Sequence, residues 1–159
     1  MIVFGSQAIL GEHPEAPALL RQSIEVDVVP NDRTDMIDAI DGSLGELSLF
    51  HKTHGFYVHG LSIEAAMLPS GWEGRLVQVG SAETTGGKIG MCLETHDLAS
   101  SKLAAFRDKD RDFVRVLLSE KLVKPRTLVA RIRTLKMTDE ERERRVKWVD
   151  LTVRELSRS

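Results

Sequence analysis

Hydrophobic and polar residues alternate in short runs along the first half of the chain, a pattern typical of β-strands. The clearest run is residues 23–29, SIEVDVV, in which three apolar residues share one face and Glu25 and Asp27 share the other, before Pro30 ends the run. Shorter apolar runs predict further strands at residues 2–4, 56–58, 75–79 and 89–93.

Elsewhere the apolar residues recur every three or four positions, as in amphipathic helices. This spacing predicts a short helix near residues 7–10, a longer helix over 35–47, and helices in most of the chain after residue 97. In the last region, we expect Asp97 to be an N-cap, Pro125 to lie in the first turn of a helix, and Thr138 and Glu141 to form a capping box.

The order of these elements predicts an α+β fold that ends in a helical bundle. We expect residues 1–95 to form a strand-containing core and residues 96–159 to form a helical C-terminal part that packs on it as a single compact unit. The length of 159 residues, with 42% hydrophobic and 29% charged residues, suits one globular domain.

Charge and cysteine content narrow the class of protein. Cys92 is the only cysteine, which excludes an intrachain disulfide and favours a reducing, cytoplasmic location. No apolar run approaches the roughly 20 residues of a membrane span, so we expect no membrane association. Residues 1–100 hold 5 Lys and Arg against 14 Asp and Glu, a net −9, and residues 101–159 hold 17 against 10, a net +7. This polarity predicts a cleft with one acidic and one basic wall.

Two carboxylates on an otherwise apolar strand are the strongest candidate for chemistry. Glu25 and Asp27 point the same way with Cα atoms about 6.6 Å apart, where like charges repel by roughly 2.5 kcal/mol at an effective dielectric near 20. One interpretation is a solvated strand face. The other is a site for Mg²⁺, which prefers such oxygen ligands.

Two further segments carry residues that suit phosphate chemistry. Gly5 and Ser6 follow a strand and precede a predicted helix, a place where backbone N–H groups can meet an anion, although a plain turn has the same pattern. Asp110 falls in an apolar helical stripe, and Lys102 also leans inward. The pair is either a structural ion pair or part of a polar active site. Lys109 is a solvated residue that could also reach a phosphate.

Other candidates are weaker. Gly87 and Lys88 lack the remaining residues of a P-loop. His51, His54 and His59 match no zinc spacing and fall in turn-rich sequence, so we do not expect them to be ligands. The basic residues of the last predicted helix alternate with Glu and indicate an exposed face, with an RNA-contacting surface as the alternative: Arg142, Arg144, Arg145 and Lys147.

Taken together, these segments resemble the polymerase-beta-like nucleotidyltransferase superfamily, which has a Gly-Ser pair at a strand end followed by an acidic-x-acidic strand. The corresponding residues here are Gly5-Ser6 and Glu25-Val26-Asp27. Lys102-Leu103 and the segment 109–112, KDRD, are similar to the AbiEii-type branch, which is related to toxins of bacterial toxin–antitoxin systems. The likeness spans about residues 2–135.

The resemblance implies a small mixed nucleotidyltransferase-type sheet and transfer of a nucleoside monophosphate from an NTP. In that case Gly5 and Ser6 would hold the triphosphate, Glu25 and Asp27 would bind Mg²⁺, and Lys102, with Lys109 nearby, would neutralise phosphate charge. Asp110 would orient Lys102 or help to place the acceptor.

Three departures from the superfamily pattern are visible. Glu25 replaces the usual first Asp, the third strand carboxylate has only Glu94 and Glu64 as candidates, and the chain begins on the first strand without a preceding helix.

The function expected from the sequence is an Mg²⁺-dependent nucleotidyltransferase, toxin-like in type, with a tRNA or a protein as acceptor and a cognate antitoxin as partner. The alternative is a catalytically inactive module that binds a nucleotide or a partner with the same fold. In either case we expect the side chains of Lys102 and Asp110 to face the acidic strand.

Overall fold

The computed structural model describes residues 1–31 and 33–158 and divides the chain into two compact units. The first unit comprises Met1–Ala66 and Arg75–Glu94. The second comprises Met67–Gly74 and residues 95–158. The first unit thus ends one residue before the boundary expected from the sequence, and the second includes a short segment that the sequence analysis assigns to the core.

The first unit is built on a five-stranded mixed sheet, as expected for an α+β nucleotidyltransferase-type fold. The strands lie in the order β3-β2-β1-β5-β4, where β1 is Ile2–Val3, β2 is Glu25–Val29, β3 is Tyr57–Gly60, β4 is Val77–Val79 and β5 is Gly90–Cys92. The β1–β2 and β4–β5 pairs are antiparallel, whereas β1–β5 and β2–β3 are parallel. All five predicted strands are confirmed, each within a few residues of its expected bounds.

Alternation along β2 places Val26 and Val28 on the side of an apolar cluster, although Val29 at the end of the strand is also buried. Val28 is buried against Val58 of β3 and Ile40 of a neighbouring helix, and Val26 packs on the edge of this cluster. Because successive residues of a strand point to opposite faces, burial of these valines turns the two carboxylates of β2 to the other face of the sheet.

Short helices surround the sheet of the first unit. They are α1 (Ala18–Arg21), α2 (Ile37–Leu44), α3 (Leu49–His54) and α4 (Ala82–Thr85), with 3₁₀ turns at Ser6–Gly11, Thr34–Met36, Ile63–Ala65 and, in part, Trp72–Arg75. The helix expected near 7–10 is present as the 3₁₀ segment Ser6–Gly11, and the helix expected over 35–47 is present in shorter form as α2. Helices α1, α3 and α4 were not predicted from the sequence, because helices of one or two turns carry too little apolar periodicity to detect.

Four helices form the second unit around its own apolar core. They are α5 (Thr95–Ala105), α6 (Asp108–Ser119), α7 (Pro125–Ile132) and α8 (Asp139–Leu156). Apolar residues at helical spacing face this core: Leu128 and Ile132 of α7 and Val149 of α8 are fully inaccessible, whereas Val153 and Leu156 of α8 are half-buried. The predicted Pro at the start of α7 and the capping box before α8 are confirmed.

The expected role of Asp97 is wrong. The helix begins at Thr95, so Asp97 lies inside its first turn rather than ahead of it, and its side chain is fully buried. Its carboxylate lies 3.0 Å from Nε of Arg131 on α7, which supplies the positive charge that a buried carboxylate requires. A tertiary ion pair thus replaces the local cap.

Arginine side chains donate to the carbonyls at the C-terminal end of α5. One of them, Arg145, was expected on the exposed face of α8 but is buried, whereas Arg144 and Lys147 are exposed as expected. Arg145 is buried and donates to the carbonyls of Leu103 and Ala104 at 3.2 and 3.3 Å. Arg111 donates to the carbonyl of Phe106 at 2.6 Å. Phe106 has φ of 56°, a left-handed conformation that usually favours glycine after a helix, and these arginines stack on its ring.

Within the described residues, no helix combines the length and the apolar character that a membrane crossing needs.

The buried position of Cys92 on β5 leads to a prediction about its reactivity. Its side chain is 4% exposed, and burial raises the pKa of the thiol to about 11. At pH 8 we expect native protein to react with a disulfide reagent such as DTNB at least about a hundredfold more slowly than protein in guanidinium chloride. Absorbance of the released thiolate measures both rates, and fast native labelling would contradict the burial.

Candidate functional site

The parallel pairing of β2 with β3 places three potential metal ligands side by side. In this register Glu25 lies opposite Tyr57, and Asp27 lies opposite His59. Aligned residues of parallel neighbours point to the same face of the sheet, so the two carboxylates and the imidazole share one face. Among the described residues, this is the group whose ligand atoms lie close enough together to hold one ion, all within 4.8 Å of one another.

The group is compact and partly open to solvent. Nδ1 of His59 lies 3.3 Å from Oε1 of Glu25 and 3.5 Å from Oδ1 of Asp27. The side chains of Glu25 and His59 are 40% and 43% exposed, whereas Asp27 is the most enclosed at 24%. A small ion could therefore enter from solvent and meet ligand atoms that the sheet already holds together.

Gly5 lies against the carboxylate of Asp27. The backbone N–H of Phe4 donates to the carbonyl of Asp27 at 2.8 Å, which draws the end of β1 onto β2. A Cβ atom added to Gly5 would overlap Oδ2 of Asp27 and come within 3.1 Å of its Cγ. Gly5 also has φ of 62° and ψ of −166°, a combination that is essentially restricted to glycine. Only glycine therefore fits here.

The turn after Gly5 is tied to the start of β2 by a side chain. Ser6 begins the 3₁₀ helix, and the next residue, Gln7, donates from its amide to the carbonyls of Arg21 and Ser23. The expected helix N-terminus is thus a short 3₁₀ segment, whose dipole is small. The turn lies near the carboxylates because Gly5, the residue before Ser6, packs against Asp27. A helix dipole contributes little to this arrangement.

Tyr57 borders the group from β3. The pKa of its phenol is raised, first by partial burial and then by the negative charges of Glu25 and Glu46, with a hydrogen bond to Glu25 adding to the effect. A phenol is protonated at neutral pH even at its ordinary pKa of about 10, so Tyr57 is a donor that can orient the Glu25 carboxylate.

His59 is the residue of this group that sequence reasoning missed. The sequence analysis placed it in turn-rich sequence, which is wrong: it lies in β3, aligned with Asp27. The proposed third carboxylates are elsewhere, since Glu64 is in an exposed 3₁₀ turn and Glu94 follows β5, and neither belongs to the group. The spacing of three histidines does not reveal which strands pair or in what register. The one signal in the sequence was the short apolar run FYVHG at residues 56–60, which predicts a strand next to His59.

Lys102 and Asp110, the candidate site residues from the second half of the sequence, belong to a buried ion cluster in the second unit. Asp110 is fully buried, and its carboxylate meets Nε of Arg107 at 2.6 Å and Nζ of Lys102 at 3.6 Å. Asp110 also accepts from the backbone N–H of Arg107 and so closes a capping box at the start of α6. Lys109 is exposed in the same turn. The structural ion pair is therefore present, and a role of these residues toward a nucleotide stays a prediction.

The group of Glu25, Asp27 and His59 fits a divalent cation. Two carboxylate oxygens and one imidazole nitrogen converge on one point, they are reachable from solvent, and the glycine beside Asp27 leaves the space that a side chain would fill. Both donor types bind divalent ions in proteins. A solvated strand face alone would explain the carboxylates, but not the convergence of a third ligand from another strand.

A mixed sheet that carries an acidic-x-acidic strand beside a Gly-Ser turn defines the class of nucleotidyltransferase-type α+β proteins. The chain matches the family described as "Nucleotidyltransferase of unknown function (DUF6036)" over residues 1–156. It therefore belongs to this nucleotidyltransferase family. No match was found among curated proteins or among solved structures. The finer likeness to the AbiEii-type branch stays a prediction.

The contact between Gly5 and Asp27 can be tested by substitution. We expect Gly5→Ala to lower the free energy of unfolding by about 2 kcal/mol or more, because it adds both backbone strain and overlap with the carboxylate. Gly86→Ala is the control, since Gly86 also has positive φ (61°) but has no atom within 4 Å of an added Cβ. Urea unfolding measures both variants.

A double-mutant cycle separates strain from overlap. In an Asp27→Ala background the cost of Gly5→Ala should fall, because the overlapping carboxylate is gone. Equal costs in both backgrounds would show that Gly5 and Asp27 are not in contact.

The buried ion cluster around Asp110 makes a separate prediction about stability. Asp110→Ala should lower the free energy of unfolding by about 3 kcal/mol, since it leaves Lys102 without this carboxylate and removes the cap of α6. The matched variant Asp112→Ala changes an exposed aspartate of the same helix and should cost less than about 0.5 kcal/mol. Urea unfolding measures both variants, and similar midpoint urea concentrations would contradict a stabilising role of the cluster.

Proposed function

We propose that this protein transfers a nucleoside monophosphate from an NTP to an acceptor and that it requires a divalent cation, with Mg²⁺ the ion that the two carboxylates favour. The observation that supports this most is the convergence of Glu25, Asp27 and His59 beside Gly5, in a chain that belongs to a nucleotidyltransferase family. This group combines hard oxygen ligands with a backbone turn that no side chain blocks.

In the proposed reaction an acceptor oxygen attacks the α-phosphorus of the NTP. The new bond is acceptor oxygen to α-phosphorus, the bond from the α-phosphorus to the bridging oxygen of the β-phosphate breaks, and pyrophosphate leaves with that oxygen. The acceptor proton passes to solvent. A bound divalent ion would supply charge neutralisation for the triphosphate and the leaving pyrophosphate.

The residues of the first unit have distinct tasks in this proposal. Glu25 and Asp27 hold the ion, and Asp27 is the more enclosed of the two. Gly5 and Ser6 lie beside it, and by their resemblance to the superfamily pattern they would meet the triphosphate. Tyr57, which stays protonated, keeps the carboxylate of Glu25 oriented.

The acceptor is proposed from the resemblance rather than from the site. The likeness to the AbiEii-type branch supports a macromolecular acceptor, a tRNA or a protein, and a toxin-like role with a cognate antitoxin. Lys102, Lys109 and Asp110 are proposed to contribute to the same reaction, on the same ground. A cytoplasmic location also belongs to this proposal.

Label transfer tests the proposed reaction directly. Protein is incubated with each of the four NTPs labelled at the α-phosphate, with either Mg²⁺ or Mn²⁺, and with either total RNA or lysate protein. Labelled products are then separated by gel. We expect transfer from α-labelled NTP and none from γ-labelled NTP, because the γ-phosphate leaves with pyrophosphate. Asp27→Asn should reduce the rate by about a thousandfold or more, since it removes a metal ligand.

Asp38→Asn is the matched control for this loss. It makes the same chemical change at an exposed aspartate of α2 outside the group and should leave transfer unchanged. Binding of an NTP without transfer to any fraction would instead indicate the inactive binding module. Transfer that survives Asp27→Asn would contradict the proposed site.

A further inference from the structure

The third member of the group is a nitrogen donor and not the third carboxylate of the superfamily pattern, and this changes which ion the site should prefer. The third member of the group is His59, held opposite Asp27 by the β2–β3 register. Its Nδ1 atom faces both carboxylates, at 3.3 and 3.5 Å. No carboxylate from another described residue completes the group.

The position of the imidazole is determined by more than its own rotamer. Val58, the residue before it, is buried in the core with Val28 and Ile40, and Gly60 after it is buried against the backbone of α2. The backbone N–H of Gly60 also donates to Oδ1 of Asp41 at 2.7 Å. With both neighbours anchored, alternation along the strand leaves the His59 side chain on the face of the carboxylates.

A structural role as an ion-pair partner explains this placement less well. All three side chains are between about a quarter and half exposed, and ion pairs at such positions contribute only about 0–1 kcal/mol. One imidazole shared between two carboxylates also leaves their mutual repulsion largely in place. A cation at the point where the three ligand atoms converge would relieve it.

Ligand chemistry then separates the candidate ions. Mg²⁺ binds oxygen ligands almost exclusively and keeps several of its waters. First-row transition ions accept imidazole nitrogen together with carboxylate oxygen, and Mn²⁺ is the one among them that is closest to Mg²⁺ in its preference for carboxylates and octahedral geometry. An imidazole in place of a third carboxylate should therefore weaken the binding of Mg²⁺ more than that of Mn²⁺, which raises the ratio of Mn²⁺ to Mg²⁺ affinity.

We propose that His59 is a direct metal ligand through its imidazole nitrogen and that it shifts the preference of the Glu25–Asp27 site from Mg²⁺ toward Mn²⁺. This inference rests on the proposed function only in taking the group as the metal site. It concerns the identity of the bound ion and not the transfer reaction.

The first experiment detects the bond itself. Mn²⁺ is added to the full chain without nucleotide, and pulsed EPR records the modulation that a coordinated ¹⁴N nucleus imposes on the Mn²⁺ echo. We expect this modulation in the unsubstituted protein and its loss in both His59→Asp and His59→Gln. The control His54→Asp changes an exposed histidine of α3 outside the group and should keep the modulation.

The second experiment measures selectivity. Calorimetry at one fixed pH gives the dissociation constants of Mn²⁺ and Mg²⁺ for each variant. We expect the ratio of Mn²⁺ to Mg²⁺ affinity to fall by about tenfold in His59→Asp, which restores a third carboxylate. The ratio is the decisive quantity, because the added negative charge strengthens binding of both ions. Circular dichroism confirms that each variant is folded.

The outcomes separate this inference from the proposed function. Three results would each overturn the role of His59. The first is bound Mn²⁺ without nitrogen modulation, and the second is an affinity ratio that His59→Asp leaves unchanged. The third is that Mn²⁺ does not bind, or that its binding survives Asp27→Asn. If label transfer nevertheless occurred, the proposed function would stand. If His59 bound Mn²⁺ but no NTP supported transfer with either Mg²⁺ or Mn²⁺, the proposed function would fail and the metal site would remain.

Discussion

The site depends on one constraint, the register between β2 and β3. The valines at positions 28 and 58 must enter the same apolar cluster, and this requirement aligns Asp27 with His59. A slip by one residue would turn every side chain of a strand to the opposite face. The register that buries the valines is therefore the same register that brings the polar side chains together. The hydrophobic core of the first unit thereby assembles a polar site that contains no apolar residue of its own.

A second constraint acts on the backbone. Gly5 can lie beside Asp27 only because it has no side chain and because its combination of φ 62° and ψ −166° is essentially restricted to glycine. The turn that resembles a triphosphate-binding loop and the strand that carries the carboxylates are therefore adjacent for steric reasons. Electrostatics is less informative there, since the helix after Gly5 is a short 3₁₀ segment with a small dipole.

In the second unit, charged side chains mainly stabilise the fold. Much of the basic excess in the last third of the sequence is engaged within that unit: Arg145 and Arg111 satisfy carbonyls at the end of α5, and Arg131 and Arg107 neutralise buried aspartates. Of these arginines, Arg145 was a candidate for an exposed face because its segment alternates with glutamate. Net charge counts residues but does not distinguish those that a buried carbonyl or carboxylate has already engaged.

The sequence alone determined the elements whose cause is local. Alternation in SIEVDVV is enough to predict β2 and the shared face of Glu25 and Asp27, and the capping residues of α8 mark its start. Tertiary structure decided what depends on partners distant in the chain: Asp97 is buried against α7 instead of capping a helix, and His59 joins Asp27 across 32 residues. Strand alternation is a property of consecutive residues, whereas register and ion pairing depend on how separate segments pack, which no local pattern encodes.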